Sequence, residues 1–286
     1  MNEIMNEVMN KNRYTFIGGG NMTRSLIGGM INDGSNPEHI SVADPGNAQR
    51  QQLAASFGIH TTASNLDALQ QADVVILAVK PQVIEAVATE IADTIQQLRC
   101  PVLSIAAGIR SNDLERWLGG NCAVIRTMPN TPSLVSSGAT ALFANQATSA
   151  EQRDLAECIM RAVGLTLWLD NESLMDAVTA VSGSGPAYFF LLMESLENAG
   201  VNAGLPRETA RLLTLQTAFG AAKMALESSD DSATLRKCVT SPGGTTERAI
   251  EIMESGKYQH LIDDAVQGAK KRAQELADKL GNHHNG

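Results

Sequence analysis

The fold is decided by residues 14–23, with the sequence YTFIGGGNMT, near the start of a chain of 286 residues. The apolar run Tyr14–Ile17 predicts a buried parallel strand, and the residues from Asn21 to about Ile31 predict a helix. Three glycines join these two elements. A strand, a tight glycine turn and a helix in this order predict an α/β domain that binds a dinucleotide at the turn.

Two of the three glycines have distinct predicted roles. Gly18 makes the tight turn, and Gly20, which has no side chain, lets the backbone approach a pyrophosphate. The N-terminus of the following helix offers free N–H groups and a positive dipole end. The third position of the fingerprint, commonly glycine or alanine, is Thr23, which predicts looser packing of the helix on the strand. A plain tight turn is the alternative interpretation.

The second predicted strand, residues 40–44, ends in Asp44. An acid at this position commonly binds the hydroxyls of the adenine ribose and favours NAD. Arg50, in the next predicted helix, is placed to meet the 2′-phosphate of NADP. The sequence therefore leaves both coenzymes open. A turn or helix-cap role before Pro45 is the alternative for Asp44.

Strands and helices continue to alternate up to residue 169, as in a Rossmann-type domain. Because the carboxyl ends of parallel strands face the ligand crevice, Val79–Pro81 and Ala106–Gly108 are predicted to lie along the coenzyme. A solvated strand end is the alternative for Lys80. The further predicted strands are residues 59–61, 72–79, 102–105, 122–126, 139–144 and 165–169.

After Asp170 the pattern is helical only, which predicts an all-α domain. The run from Ala187 to Met193 is apolar on every side and therefore needs cover on all faces, which implies a second subunit. An apolar stripe at helical spacing between Leu261 and Leu280 predicts a closing helix packed against the same core. The predicted parts are a flexible extension (1–12), a dinucleotide-binding domain (13–170), a helical dimerisation and substrate domain (171–281) and a disordered tail (282–286).

The helical part contains a candidate anion nest at residues 240–247, TSPGGTTE. Two glycines and two hydroxyls open a predicted helix there, and free N–H groups are expected at Gly244, Thr245 and Thr246. Such groups bind a carboxylate or a phosphate. A well-capped helix without a ligand is the alternative.

The composition excludes several classes of partner. A formal charge of −9 and the absence of a long basic cluster argue against nucleic acid and anionic membranes. Four widely spread cysteines, with no C-x-x-C pair, argue against a metal site or a disulfide framework and fit a reducing cytoplasm. No stretch approaches the ~20 consecutive apolar residues of a transmembrane helix.

No histidine falls in either candidate site, which bears on the chemistry. A ketone reductase needs a proton donor for the developing alkoxide. A protonated imine does not, because hydride addition yields a neutral amine. The sequence therefore favours reduction of a C=N bond, in which positioning and desolvation do most of the work.

Six blocks of sequence carry a resemblance to a known family, the pyrroline-5-carboxylate reductases. The similarity extends from Phe16 to about Leu276, and the last two blocks are together the most specific. The blocks are Phe16–Met22, Ala78–Pro81, Ser104–Gly108, Met128–Pro132, Ala180–Tyr188 and Ser241–Thr246.

The resemblance implies reduction of 1-pyrroline-5-carboxylate to L-proline, the last step of proline biosynthesis, with hydride from NADPH or less often NADH. It also implies dimers formed through the helical domains, often assembled into decamers. The block that begins at Ser182 would start the dimer helix beside the nicotinamide ring.

The residues expected at the site follow from the resemblance and the strand ends. Thr246 is the expected catalytic residue, with its hydroxyl facing the ring nitrogen of the substrate. The expected substrate-binding residues are Ser241, Gly243, Gly244, Thr245 and Thr246. The expected coenzyme-binding residues are Gly18, Gly19, Gly20, Asn21, Met22, Asp44, Arg50, Val79, Lys80, Pro81, Ala106, Ala107, Gly108 and Asn130.

Two other interpretations have distinguishable consequences. A β-hydroxyacid dehydrogenase of the 6-phosphogluconate type needs a catalytic lysine about one helical turn after the segment resembling Ser182–Gly185. That place holds Phe189 and Phe190, and no lysine occurs between Gln152 and Gln216. A non-catalytic dinucleotide sensor needs no substrate nest, and the intact nest argues against it.

Overall fold

The computed structural model describes residues 10–281. It contains one eight-stranded sheet with the order β3-β2-β1-β4-β5-β6-β7-β8. The first six strands in this order are parallel, whereas β7 runs antiparallel to β6 and β8 runs parallel to β7. The strands are β1 (Tyr14–Ile17), β2 (Ile40–Ala43), β3 (His60–Thr62), β4 (Val74–Leu77), β5 (Val102–Ser104), β6 (Val124–Met128), β7 (Gly138–Ala144) and β8 (Gly164–Trp168).

Besides the helical residues Asn10 and Lys11, the described range contains twelve helices, which fall into two groups along the chain. The first group is α1 (Asn21–Asn32), α2 (Asn47–Phe57), α3 (Asn65–Ala68), α4 (Ile84–Leu98), α5 (Ser111–Trp117), α6 (Ala150–Arg161) and α7 (Met175–Val178). The second group is α8 (Gly185–Asn202), α9 (Arg207–Glu227), α10 (Ser232–Cys238), α11 (Thr245–Ser255) and α12 (Tyr258–Gly281). Short 3₁₀ turns occur at Pro37–His39, Pro81–Val83, Thr131–Val135 and Glu172–Leu174, and a π-helical turn at Thr179–Gly183 joins α7 to α8.

Two apolar clusters cover the two faces of the sheet. Side chains of α1, α2 and α6 pack in one cluster, and side chains of α4 and α5 pack in the other. All four residues of β4 are fully buried, which agrees with the continuous apolar run in the sequence. The predicted class, an α/β dinucleotide-binding domain followed by helices, is confirmed.

Local sequence signals fix several helix ends. Ser149 and Gln152 form a reciprocal capping box at the start of α6, as the serine at that position predicts. Gly58 ends α2 in the left-handed conformation, with φ of 68°. Pro81 occupies the first turn of a 3₁₀ segment that leads into α4. The helix α5 is an element that the sequence pattern did not predict.

The described chain separates into two compact units. One comprises residues up to Ser184 together with the chain from Ala269, and the other comprises Gly185–Gly268. These bounds differ from the predicted ones at 170/171 and at the C-terminal end. The predicted extension and tail lie outside the described residues, except for positions 10–12.

The prediction that the closing helix packs wholly with the helical part is wrong. The last turns of α12 belong to the sheet-containing unit, where Leu280 packs against its core and Ala277 is 1% exposed. Arg110 pairs there with Asp278, and Arg116 donates to the carbonyl of Gly281 at 3.2 Å. The apolar stripe correctly predicts the helix, but a stripe carries no information about which core it contacts.

Within residues 10–281, no helix has the length and apolar character needed to cross a membrane.

Candidate active site

The turn after β1 has the geometry that a dinucleotide needs. Gly18 adopts φ of 103°, and its N–H donates to the carbonyl of Ala43 at 2.8 Å. A Cβ at this position would lie 2.6 Å from the carbonyl oxygen of Ala78. Backbone conformation and space therefore both require glycine there.

Gly20 faces open space at the start of α1. A Cβ built on it meets no atom within 4 Å, and it is the N-cap residue without a side-chain cap. Within the described range, no hydrogen bond uses the N–H groups of Gly20, Asn21 and Met22. A pyrophosphate fits these donors, since they sit at the positive end of a helix dipole and no side chain blocks their approach.

The threonine at the third fingerprint position does not loosen the packing of α1, and that prediction is wrong. Thr23 is fully buried, and its hydroxyl donates to the carbonyl of Gly18 at 2.6 Å. The side chain thus links the helix to the glycine turn. An alanine at this position would leave the carbonyl of Gly18 without this hydrogen bond.

Asp44 follows β2 and is part of the turn. Its two carboxylate oxygens accept from the N–H groups of Gly19 and Gly46, both at 2.8 Å. Arg50 donates to the carbonyls of Asp44 at 2.7 Å and Pro45 at 3.0 Å. Asp44 therefore stabilises the turn, which was the alternative interpretation of this residue. The guanidinium group of Arg50 is held beside this turn.

The remaining predicted coenzyme residues come to the same edge of the sheet. Val79–Pro81 follow β4, Ala106–Gly108 follow β5, and Asn130 follows β6. These strands lie side by side and parallel with β1 and β2, so their carboxyl ends form one continuous edge. The Lys80 side chain is exposed, and Asn130 bonds within the protein to Ser182 and Ala139.

A buried ion pair at this edge was not foreseen from the sequence. The Arg126 side chain, 6% exposed, donates to Glu172 at 3.1 Å. The same carboxylate accepts from the N–H of Ser111 at 2.7 Å and from its hydroxyl at 2.5 Å. Glu172 therefore ties β6 to the start of α5. The sequence does contain a signal for this pair, because Arg126 lies inside an apolar strand and a buried arginine needs a charged partner.

Replacing Glu172 by glutamine is expected to lower the free energy of unfolding by about 2 kcal/mol, because the buried Arg126 loses its nearer carboxylate partner and keeps only Asp176, at 4.0 Å. The matched control is Glu251→Gln, which breaks an exposed pair with Arg248 at 3.1 Å and is expected to cost less than about 1 kcal/mol. Chemical denaturation of both variants measures the difference. Equal small losses would contradict the structural role of the buried pair.

The anion nest lies in the helical unit, at the N-terminus of α11. Gly244 is its N-cap residue and makes no side-chain cap, and the N–H groups of Thr245 and Thr246 have no hydrogen-bond partner among the described residues. The N–H of Gly244 is not free, as was expected, but donates to the carbonyl of Ser241 at 3.0 Å. The N–H of Gly243 donates to the Glu247 carboxylate at 2.7 Å.

The nest therefore presents two adjacent donors, and not the three that the sequence predicts. The Glu247 carboxylate, three residues after the N-cap position, bonds to the N–H of Gly243 and not to that of the N-cap residue, so no capping box forms. The Thr246 side chain is half-buried and makes no hydrogen bond within the described chain. Two N–H groups and a hydroxyl at a helix N-terminus suit the two oxygens of a carboxylate.

Two of the four cysteines, Cys100 and Cys122, are buried. Burial raises the pKa of Cys100 and of Cys122 to about 11, so both thiols are protonated at neutral pH. Among residues 10–281, no three His, Cys, Asp or Glu side chains converge as metal ligands.

Two family models match different parts of this chain. The family model for pyrroline-5-carboxylate reductase dimerisation matches residues 172–276, and the model for coenzyme F420-dependent NADP oxidoreductase matches residues 13–108. A pyrroline-5-carboxylate reductase of Pseudomonas aeruginosa is 50% identical over 273 residues, covering 96% of this chain and 100% of the relative. The chain belongs to the pyrroline-5-carboxylate reductase family.

Members of the pyrroline-5-carboxylate reductase family from distant organisms are also similar. The Arabidopsis thaliana enzyme is 39% identical, with 92% of this chain and 94% of the relative covered. A solved structure from Coxiella burnetii matches with a TM-score of 0.90 at 46% identity, covering 94% of this chain and 99% of that one. A Plasmodium falciparum structure with NADP bound matches with a TM-score of 0.82 at 28% identity, again covering 94% and 99%. Membership of this family decides against the β-hydroxyacid dehydrogenase alternative.

Proposed function

We propose that this chain reduces 1-pyrroline-5-carboxylate to L-proline with hydride from NAD(P)H, the last step of proline biosynthesis. Hydride adds to the carbon of the protonated C=N bond, the C=N π electrons become the nitrogen lone pair, and the coenzyme leaves as NAD(P)⁺. The observation that carries the proposal is the nest at α11, whose two unbonded N–H groups and adjacent hydroxyl match a carboxylate beside a ring nitrogen.

The expected roles of the nest residues follow from their chemistry. The N–H groups of Thr245 and Thr246 hold the substrate carboxylate, and Ser241, Gly243 and Gly244 shape the turn that presents them. The Thr246 hydroxyl accepts a hydrogen bond from the protonated ring nitrogen, which orients the C=N bond and stabilises the imine in its reactive, protonated form.

A nicotinamide dinucleotide supplies the hydride when it is bound. The residues that would hold it are those at the carboxyl edge of the sheet, with the pyrophosphate at the free N–H groups of Gly20, Asn21 and Met22. The open space at Gly20 supports this assignment. Val79–Pro81 and Ala106–Gly108 are proposed to flank the coenzyme, and the small side chains of Ala106–Gly108 permit its close approach.

For the choice of coenzyme we propose NADPH, with NADH as a weaker alternative. Both oxygens of Asp44 already accept backbone N–H groups, which offsets part of their charge. The guanidinium of Arg50 is fixed beside the end of β2 by the carbonyls of Asp44 and Pro45. A pre-positioned guanidinium is well suited to a 2′-phosphate.

Arg50→Ala is expected to lower the ratio of kcat/KM for NADPH over NADH by at least about tenfold, because one charge-assisted phosphate contact contributes ~1.5–3 kcal/mol. Arg161→Ala, which removes an arginine paired with Glu157 on α6, is the control and leaves the ratio unchanged. Initial rates at matched concentrations of the two coenzymes measure both variants. An unchanged ratio in Arg50→Ala would exclude the proposed contact.

The helical unit is proposed to work as a dimer. Three consecutive side chains of α8, Phe189, Phe190 and Leu191, are each more than 60% exposed in the single chain. Such a run of large apolar groups is typical of an interface that a partner covers. A second copy of this chain is the proposed cover, in line with the dimerisation model that matches residues 172–276. Assembly into decamers and a cytoplasmic location stay predictions.

Initial rates with 1-pyrroline-5-carboxylate test the proposal directly. Oxidation of NADPH or NADH that depends on this substrate is expected from the folded protein. A protein that binds the coenzyme but oxidises neither form would favour the dinucleotide-sensor interpretation.

A further inference from the structure

The turn that precedes α8 has an unusual backbone. Residues Thr179–Gly183 form a single π-helical turn directly before α8, and the N–H of Ser184 donates to the carbonyl of Thr179 at 2.8 Å. Such turns are rare and are found mostly at functional sites. This one overlaps Ser182–Gly185, the segment that the family resemblance puts beside the nicotinamide ring.

The side chain of Asn130 bonds directly to this turn. Its amide nitrogen lies 3.3 Å from the carbonyl oxygen of Ser182 and 3.3 Å from the Ser182 hydroxyl. Its amide oxygen accepts from the N–H of Ala139, at 2.9 Å, in β7. Both ends of the amide are thus occupied by protein groups, so its donors are not directed at a coenzyme.

Met128, the last residue of β6, contacts Gly183, the residue of the turn that follows Ser182. A Cβ built on Gly183 would lie 2.5 Å from the Met128 methyl carbon. The end of β6 and the loop after it therefore support two consecutive residues of the π turn, Ser182 by hydrogen bonds and Gly183 by packing. The positions involved are about 50 residues apart in sequence, since the Asn130–Ser182 separation is 52.

We propose that Asn130 is a positioning residue, which holds the π turn Thr179–Gly183 in place for the reduction and does not itself contact the coenzyme. This inference rests on the proposed function. It replaces the expected role of Asn130 as a coenzyme ligand. A displacement of the turn by about 1 Å is enough to lower the rate of hydride transfer strongly, because this rate depends steeply on the distance between the reacting atoms.

Asn130→Asp removes the hydrogen-bond donor of the amide and keeps its acceptor. The carboxylate still accepts from Ala139, whereas it loses the donor to the Ser182 carbonyl and repels that oxygen. The expected result is a fall in kcat of about tenfold or more, with the dissociation constant for NADPH within about twofold of the parent value. In Asn130→Ala the Ala139 contact is lost as well, so Tm falls further than in Asn130→Asp while kcat falls by a similar factor.

Asn145→Asp is the matched control, because Asn145 bonds at the other end of β7. Its amide nitrogen donates to Glu115 at 3.0 Å and to the carbonyl of Cys122 at 2.9 Å, and its amide oxygen accepts from Val124. This variant is expected to lower Tm and to leave kcat within about twofold. An equal loss of kcat in Asn145→Asp, or a kcat that simply follows Tm across all three variants, would overturn the positioning role.

A tenfold weaker NADPH affinity in Asn130→Asp with kcat retained would also overturn it, and would make Asn130 a coenzyme ligand. The activity of the parent protein distinguishes a failure of the positioning role from a failure of the proposed function. If the parent reduces 1-pyrroline-5-carboxylate and Asn130→Asp is equally active, only the positioning role fails. If the parent does not reduce this substrate, the proposed function fails.

Discussion

Thr246→Val is expected to lower kcat/KM for 1-pyrroline-5-carboxylate by about 10²-fold, the usual effect of removing one directed hydrogen-bonding group from an active site. The variant keeps the shape of the side chain and the N–H of the nest, and it removes only the hydroxyl. The dissociation constant for NADPH is expected to stay unchanged, because the nest belongs to the helical unit and the glycine turn to the other unit. Steady-state kinetics and coenzyme titration measure the two quantities.

Thr234→Val is the matched control for this experiment. Thr234 also lies in the first turn of a helix, α10, but its N–H is already bonded to the Asp231 carboxylate at 2.7 Å. The control is expected to retain parent activity. A Thr246→Val protein with parent kcat/KM, or with coenzyme affinity reduced as much as activity, would contradict the assigned role.

Gly18→Ala is expected to lower the stability of the fold, whereas Gly20→Ala is expected to weaken coenzyme binding, although the two glycines are only two residues apart. At Gly18 the added Cβ lies 2.6 Å from the Ala78 oxygen and the backbone has φ of 103°. Strain and overlap together are expected to lower the free energy of unfolding by about 2–5 kcal/mol. Loss of the turn geometry also removes coenzyme binding.

At Gly20 the added Cβ meets no atom, and φ is −70°. The free energy of unfolding is therefore expected to change by only about 1 kcal/mol, the usual effect of alanine at an N-cap. The methyl group instead occupies the path of the pyrophosphate, and we expect NADPH to bind at least about tenfold more weakly. Equal losses of stability in both variants, or parent NADPH affinity in Gly20→Ala, would contradict this account of the turn.

The sheet and the main helices were predictable because their signals are local. The apolar run Val74–Leu77 is buried on both faces, and its composition alone identifies a central parallel strand. The Ser149 cap and the Gly58 stop depend on residues within one helical turn. Helix α5, with seven residues, is too short and too polar for its periodicity to be distinguished from a loop.

The contacts within the candidate site were less predictable because they join distant positions. Arg126 and Glu172 are 46 residues apart, and Asn130 and Ser182 are 52 apart. Residue types mark these side chains as polar, but only the fold decides which of them meet. Gly244 is a different case, because its N–H was expected to be free and is bonded to the carbonyl of Ser241, only three residues earlier.

The central claim is the transfer of hydride to the C=N carbon of 1-pyrroline-5-carboxylate, and one labelling measurement tests it. The protein is incubated with this substrate and with NADPH deuterated at both C4 positions, and the product is analysed by mass spectrometry and NMR. The account predicts L-proline that carries one deuterium at C5, formed in equal amount to the NADP⁺ released. Oxidation of NADPH without labelled proline, or no turnover by protein that binds NADPH, would contradict it.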